Sequence, residues 1–466
     1  MNRRKFGLLA ATSAATLAAG LGAPKRARAA VSQAQADTLK TTLTPFGAEK
    51  AGNADGTIPA WTGGYTTIPA GWSSPALMPD LFASEQPVVT IDASNMAQYA
   101  DKLPESVKIY MQQRGFSIVV YPTHRTAAAP QYIYDNMYQN ALNAQSVAGG
   151  PRLGFTNAYG GVPFPILSDD PADAGAQAMQ NHNFRWLGWH IHFNDSTYAM
   201  SHGQLTLVLD DDYGQTTAYY DPNGSLATFD GIFSKAFFNP IGPANAVGAN
   251  IIVYDSTNSL KFPDSGWQLL TGQGRVRRIP EIQYDIPDSS VDGIVTYDEA
   301  FAFLGAEDKF NWNLVGKKEM YVPYNANGTN FTSTSDYLPH FLNPAKVRWE
   351  LHRVWVVEAT LAPGERNIIP HRRFYIDEDT WTTLVTDEYD ANGNFWRSTH
   401  MYVVARPDLP GTVSQQYTTM DFQGDSYITS FTPNLNLPVG QRTQDYATAL
   451  PPSGFDPQDM AARASF

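Results

Sequence analysis

The sequence contains no cysteine. This absence excludes disulfide bonds, thiolate metal sites, iron–sulfur clusters, cysteine nucleophiles and a lipid anchor on cysteine. Charged residues are also scarce, at 17% of the 466 residues against about 25% in an average soluble protein. The formal net charge of −13 argues against binding a phosphate backbone or an anionic bilayer, because both need clustered lysine and arginine. We therefore expect no nucleic-acid partner.

Aromatic residues are abundant by contrast, at 12% of the chain, and hydrophobic residues make up 43%. Aromatic side chains favour β-strands and broad apolar binding surfaces. The hydrophobic share is typical of a globular protein. The composition therefore indicates a folded, β-rich chain and excludes a disordered or coiled-coil one.

The N-terminus carries the features of a bacterial export signal. Arg3-Arg4-Lys5-Phe6 precedes a small and weakly hydrophobic stretch, and Ala27-Arg28-Ala29 forms an A-x-A cleavage pattern. The paired arginines favour the twin-arginine route over the general secretory route. No later segment reaches the 18 or so apolar residues that would span a bilayer. We predict a signal peptide over residues 1–29, cleaved near Ala29, and a soluble periplasmic protein.

The mature chain changes character near Trp186. Before it, helical spacing of apolar residues predicts helices within Ser94–Arg114, broken or kinked at Pro104, and within Pro130–Ser146. After it, strands dominate, and Asn392-Gly393 predicts a tight hairpin. The clearest strands are Leu205–Leu209, Asn250–Tyr254, Lys346–Glu358, Arg372–Asp377, Trp381–Glu388 and Phe395–Val404. We predict long meanders in a single elaborated domain over residues 30–466.

Motifs for catalysis, metals and cofactors are weak. His190 and His192 share one face of a strand and His202 follows, but no carboxylate lies at a recognisable offset for a metal site. There is no G-x-S-x-G nucleophile elbow, and the segment 272–274 lacks the third glycine of a dinucleotide fingerprint. We predict no catalytic residue, no metal site and no cofactor.

Two charged groups remain as candidates. Asp377 and Asp379 lie between two predicted strands, where carboxylates can flank a glycosidic bond, so a periplasmic carboxylate-dependent hydrolase is an alternative function. Arg275 and Arg277 share one strand face and Arg278 takes the other. Their guanidinium groups suit an anionic headgroup or the carboxylates of a partner, and cross-strand ion pairs are the structural alternative.

Three long segments resemble a widespread proteobacterial family of unknown function. They are Leu43–Trp61, Trp267–Arg278 and Arg372–Trp381. The family is grouped with the Lol-type outer-membrane lipoprotein-sorting proteins. The resemblance implies an α+β fold in which a large curved antiparallel sheet forms an incomplete barrel, with helices packed on its concave side around an apolar cavity. It also implies lipid handling beside an inner-membrane exporter of the resistance-nodulation-division class and an outer-membrane protein, and it brings no catalytic residues.

Apolar side chains on three predicted strands are the candidate lining of such a cavity. They are Trp349, Leu351, Trp355, Phe374, Ile376 and Trp381. A closed core is the other interpretation of the same residues. Since each methylene exposed to water costs about 0.8 kcal/mol, a long-chain ligand needs an apolar sheath for transport. The sequence therefore favours a periplasmic carrier or chaperone for a lipid, a sterol-like molecule or an acylated protein; a non-catalytic adaptor of an envelope complex is a further alternative.

Overall fold

The computed structural model describes residues 31–147, 154–269, 274–279, 285–288, 291 and 293–463. The predicted signal peptide, residues 1–29, lies outside these ranges. So do residues 270–273, within the second family segment. No helix of the described residues is long and apolar enough to cross a membrane.

One large sheet, to which the described part of the chain contributes sixteen strands, dominates the fold. Two further strands, β3 (Gln145–Val147) and β4 (Gly154–Thr156), form a separate small sheet. The strands of the large sheet are β1 (Val89–Ile91), β2 (Ile118–Val120), β5 (His190–Ser201), β6 (Gln204–Thr216), β7 (Ile232–Gly242), β8 (Ile251–Ser256), β9 (Ser265–Leu269), β10 (Val276–Arg278), β11 (Phe310–Pro323), β12 (Arg348–Leu361), β13 (His371–Asp377), β14 (Thr383–Tyr389), β15 (Phe395–Arg406), β16 (Gly411–Asp421), β17 (Ser426–Pro433) and β18 (Gln444–Asp445).

Two antiparallel meanders build this sheet. Strands β11 to β17 follow one another in chain order, and β5 to β10 do the same. The two meanders join where β17 pairs with β5, at Tyr427 opposite Met200. Within the described ranges β2 beside β12 is the one parallel pair, and the end strands β11 and β10 do not pair with each other. The predicted fold class is confirmed: the protein is α+β, and its large open sheet is consistent with an incomplete barrel.

The described residues form five α-helices: α1 (Gln33–Asp37), α2 (Glu105–Arg114), α3 (Gln131–Asn143), α4 (Pro171–Asn183) and α5 (Pro457–Arg463). The break predicted at Pro104 is present, because a 3₁₀ helix ends at Lys102 and α2 begins at Glu105. Asp170 caps the N-terminus of α4, where its carboxylate accepts from two backbone N–H groups, and the helix packs against β11 and β12.

The hairpin between β14 and β15 is also confirmed. The N–H of Asp390 donates to the carbonyl of Asn394 at 2.9 Å, and Gly393 takes a φ of 79°. Glycine adopts this left-handed conformation without steric cost, so the turn fixes the register of the two strands.

Strand β12 separates two large apolar cores. Val354 and Val356 face the first core, whereas Val357 and Ala359 face the second core, which also holds side chains of α3 and α4. Glu350 and His352, which lie on the same strand, are also buried. They are tolerated there because other charged and polar side chains pair with them.

Candidate functional site

Two of the three family segments meet in the folded protein. The loop Leu43–Trp61 lies over the end of β13, where the indole N–H of Trp381 donates to the carbonyl of Phe46 at 2.8 Å. The guanidinium of Arg353 reaches the carbonyl of Ala51 at 3.0 Å. These bonds run from side chains of the sheet to backbone of the loop. The loop therefore acts as a cover over the turn that follows β13.

Beneath this cover lies a buried group of three acids, Asp377, Glu378 and Asp379, which we call the turn cluster. Arg125 holds Asp379 in a bidentate pair, with its Nη2 at 2.7 Å from Oδ1 and its Nε at 2.8 Å from Oδ2. Lys317 lies 2.7 Å from Glu378. Because Asp377 and Asp379 are at most 1% exposed, the two carboxylates proposed for hydrolysis are closed off from solvent.

Asp377 is only half satisfied. Its Oδ2 accepts from the backbone N–H of Thr380 at 2.9 Å, from the Thr380 hydroxyl at 2.7 Å and from the hydroxyl of Tyr324 at 3.2 Å. Its Oδ1 is buried with no hydrogen-bond partner among the described residues. Burial, together with the negative charge of Asp379, raises the pKa of Asp377 to about 7.

His352 on β12 faces the turn cluster from the neighbouring strand. Its ring stacks on Tyr324 with centroids 3.7 Å apart, and its Nε2 lies 3.0 Å from Oε2 of Glu350. Its Nδ1 lies 3.9 Å from Oδ1 of Asp377. Glu350 also accepts from the side-chain amide of Asn325 at 3.0 Å. The imidazole is thus fixed in orientation on two sides.

A second buried set of charges runs across four strands, and we call it the charge row: Arg372, Glu388, Arg397 and Asp421. These residues are direct cross-strand partners on β13, β14, β15 and β16. Both carboxylate oxygens of Glu388 are buried and accept no hydrogen bond from the described residues. Burial outweighs the attraction of the two arginines and raises the pKa of Glu388 to about 8.

The predicted lining residues fall into different parts of the interior. Trp349 belongs to the first core and borders a cavity of about 10 Å³, which is too small for a hydrophobic ligand. The second core contains Trp355, Phe374, Ile376 and Trp381. Leu351 is buried at 4% exposure. Whether any of the six contacts a ligand stays a prediction.

The other predicted groups lie apart from the turn cluster. Arg277 and Arg278 are exposed on the end strand β10, and Arg275 is exposed just before it. His192 on β5 pairs with the carboxylate of Asp212 at 2.8 Å, which raises the pKa of this histidine. His190, on the same strand, is buried, and His202 occupies the turn before β6. An anionic partner for the arginines remains a prediction.

A larger cleft lies between α1, α3, α4 and the segment 163–169. Its volume is about 320 Å³. The apolar lining residues are Val31, Ala141, Ala144, Pro163, Phe164, Ile166 and Leu167, and the polar ones are Gln35, Ser146, Ser168, Asp169 and Gln177. This mixture of an apolar wall and a few polar groups is typical of small-molecule sites.

Three amide side chains hold the wall of this cleft. Asn140 of α3 donates to the carbonyls of Gly161 and Val162 at 3.1 and 3.2 Å. On α4, Asn181 bonds both the N–H and the carbonyl of Phe164, and Gln177 accepts from the N–H of Ser168 at 2.7 Å. Side-chain hydrogen bonds therefore hold the backbone of residues 161–168 in place, although this segment has no regular secondary structure.

Sequence reasoning missed this cleft and the pairing of His352 with Asp377. Buried amides on apolar helix faces, such as Asn140 and Asn181, were the available signal for the cleft. For the pairing of His352 with Asp377, the signal was the polar residues of β12, because a charged or polar side chain on a central strand needs a partner when it is buried.

Comparison with known proteins adds relatives of both sequence and fold. The uncharacterized protein PA3922 of Pseudomonas aeruginosa is 37% identical over 376 residues, covering 79% of this chain and 81% of that protein. A DUF1329 family protein from Desulfovibrio piger aligns with a TM-score of 0.42 at 13% identity, over 62% of this chain and 99% of that one. A putative outer membrane lipoprotein-sorting protein domain from Vibrio parahaemolyticus gives a TM-score of 0.41 at 13% identity over the same shares. A LolA superfamily protein from Nitrosomonas europaea gives a TM-score of 0.32 at 8% identity, over 55% of this chain and 90% of that one.

The family model for proteins of unknown function called DUF1329 matches residues 90–461. Two of the three segments that carried the resemblance, Trp267–Arg278 and Arg372–Trp381, fall inside this match, and Leu43–Trp61 precedes it. The predicted family is thereby confirmed, and this chain belongs to the DUF1329 family.

Proposed function

We propose that this protein is a non-enzymatic periplasmic carrier of a hydrophobic small molecule. The observation that supports the proposal is the cleft of about 320 Å³ between α1, α3 and α4. Its size falls at the lower end of the 300–1,000 Å³ range of ligand pockets. The carboxylates that could have served a hydrolase are sealed beneath the loop Leu43–Trp61, which leaves binding as the better use of the fold.

The volume limits the ligand. At about 30 Å³ for a group the size of water, the cleft holds roughly ten methylene-sized groups. Burying them contributes about 8 kcal/mol at 0.8 kcal/mol each, which corresponds to a dissociation constant near 1 μM before the costs of binding. One short chain or a small ring system fits this space, and a lipid with several long chains does not.

The cleft is continuous with the second core. Phe164 and Ala144 line the cleft and also belong to that core, which contains Phe374 and Ile376. We propose that a longer ligand displaces the Phe164 ring and extends toward the predicted lining residues.

The experiment compares two tryptophan substitutions in the mature protein. Ser146→Trp places an indole in the cleft, and Ala172→Trp places the same group on the exposed start of α4. Organic extraction with mass spectrometry identifies any endogenous ligand, and a fluorescent hydrophobic probe is titrated at micromolar concentrations. We expect saturable binding that Ser146→Trp weakens at least tenfold and Ala172→Trp leaves unchanged.

Wild-type protein that yields no extracted ligand and binds no probe would refute the carrier. Equal binding by wild type and Ser146→Trp would instead show that the site lies elsewhere. Circular dichroism and thermal unfolding of both variants check that the fold is retained.

Export and partners are part of the same proposal. We propose that residues 1–29 direct twin-arginine export and that the carrier works with an inner-membrane resistance-nodulation-division exporter and an outer-membrane protein. Fusing residues 1–29 to a reporter tests the first point, because replacing Arg3 and Arg4 together by lysine should abolish export by that route. Cross-linking in the native envelope tests the second. Partner capture without any ligand binding would favour the adaptor instead.

A further inference from the structure

We infer that His352, Asp377 and Asp379 form a structural site for one divalent transition-metal ion. Their candidate ligand atoms all lie within 4.8 Å of one another, and all three residues are buried. One imidazole nitrogen with two carboxylate oxygens is a donor set that suits zinc, manganese or iron, whereas calcium prefers oxygen ligands alone.

The orientation of His352 supports metal ligation. Nε2 of His352 lies 3.0 Å from Oε2 of Glu350, a distance at which a ring hydrogen on Nε2 can be donated to that oxygen. The lone pair of Nδ1 then faces Oδ1 of Asp377 at 3.9 Å. Metal-bound histidines commonly donate their other ring N–H to a carboxylate in this way.

Asp377 supplies the second and independent observation. Its Oδ1 is buried without a hydrogen-bond partner in the described part of the chain, although its Oδ2 accepts three. Two acceptors, Nδ1 and Oδ1, thus face each other in the interior. A cation between them satisfies both, and leaving such a carboxylate oxygen bare in the interior is costly.

The charges around the site favour a cation as well. The carboxylates are Glu49, Glu85, Glu350, Asp377, Glu378 and Asp379, and the side chains that pair with them are Arg125, Lys317, Arg348 and Arg353. When all six carboxyl groups are ionised and the histidines are neutral, six carboxylates face four cations, which leaves two negative charges. One divalent ion compensates them. Arg125 occupies both oxygens of Asp379, but each oxygen retains a lone pair that can bridge to a metal.

The burial of the ligands assigns the ion a structural role. At 0 to 1% exposure no substrate reaches it, and closed sites of this kind stabilise folds. The ion would hold the turn after β13, where Trp381 adopts a φ of 59° that non-glycine residues rarely take. That turn anchors the loop Leu43–Trp61 through the Trp381 indole.

Metal analysis of tag-free protein tests this site. The mature chain is stripped with EDTA, incubated with Zn²⁺ or Mn²⁺, passed through gel filtration and analysed by mass spectrometry for metal content. We expect about one ion per chain and a raised Tm for wild type, and less than a tenth of that content for Asp377→Asn and His352→Gln. Glu350→Gln should weaken binding about 10- to 100-fold.

The control is Asp212→Asn, which removes a comparable histidine–carboxylate contact at the partly exposed His192. It should retain the ion. Wild type that holds no ion after this treatment would overturn the site, as would Asp377→Asn and His352→Gln binding like wild type. If a variant does not fold, the wild type is instead made to compete with a chromophoric chelator for the metal ion. The site predicts that the wild type removes about one ion per chain from the chelator, and failure to do so would overturn it.

Discussion

Glu388 makes the stability of this protein sensitive to pH. It stands in the charge row between Arg372 and Arg397, fully buried, and accepts no hydrogen bond from the described residues. Its pKa rises from 4.5 to about 8 in the fold. Each pKa unit corresponds to about 1.4 kcal/mol between the two protonation states.

The sign follows from proton binding. Between pH 4.5 and about 8 the folded state keeps the proton on Glu388 and the unfolded chain releases it. Raising the pH therefore favours unfolding, and the loss is complete above about pH 8. From pH 5 to pH 8 this carboxyl group costs the wild type about 3–4 kcal/mol. Glu388→Gln cannot ionise and does not suffer this loss.

Urea unfolding of the mature protein at pH 5, 6, 7 and 8 measures the effect. We expect the free energy of unfolding of Glu388→Gln, relative to wild type, to rise by about 1 kcal/mol for each pH unit. Glu358→Gln is the matched control, because its carboxylate pairs with Arg373 at the partly exposed end of β12. The free energy of unfolding of Glu358→Gln should differ from that of wild type by less than about 1 kcal/mol at every pH. A difference between Glu388→Gln and wild type that does not vary with pH would refute the reasoning.

Three further predictions concern other parts of the molecule. Arg125→Met leaves the buried Asp379 without its bidentate partner, so it should lower the free energy of unfolding by about 3–5 kcal/mol in urea titrations, and additivity with Asp379→Asn in a double-mutant cycle would contradict this coupling. Burial lowers the pKa of His400 to about 3, so the free energy of unfolding falls as the pH drops from 6.5 toward 3. In the same assay the free energy of unfolding of His400→Leu should fall less over this pH range. Gln177→Ala releases the N–H of Ser168 in the cleft wall, so it should weaken probe binding several-fold while changing global stability by only about 1 kcal/mol.

Local patterns in the sequence predict the strands well. Alternating apolar residues mark β12 to β15, Asn392-Gly393 marks their clearest turn, and Pro104 marks the break before α2. Each of these signals depends on neighbouring residues only. Turn conformation and side-chain alternation are set within a few residues, so one sequence suffices to detect them.

Contacts between distant segments could not be predicted in the same way. Nothing local indicates that β17 pairs with β5, which joins residues more than two hundred positions apart. Glu350 and His352 are buried among distant residues: the N–H of His124 donates to Glu350, and the ring of Tyr324 stacks on His352. A charged residue on a strand is predicted to face solvent unless its partners are known. Here those partners come from distant parts of the chain.

The charge row has a consequence for how the first meander assembles. Along it arginine alternates with acid, from Arg372 through Glu388 and Arg397 to Asp421. A slip of one residue between any two of these strands would turn a polar side chain toward the opposite apolar core, and exchanging β14 and β15 would set Arg372 beside Arg397. The four side chains thus disfavour misaligned arrangements of these strands.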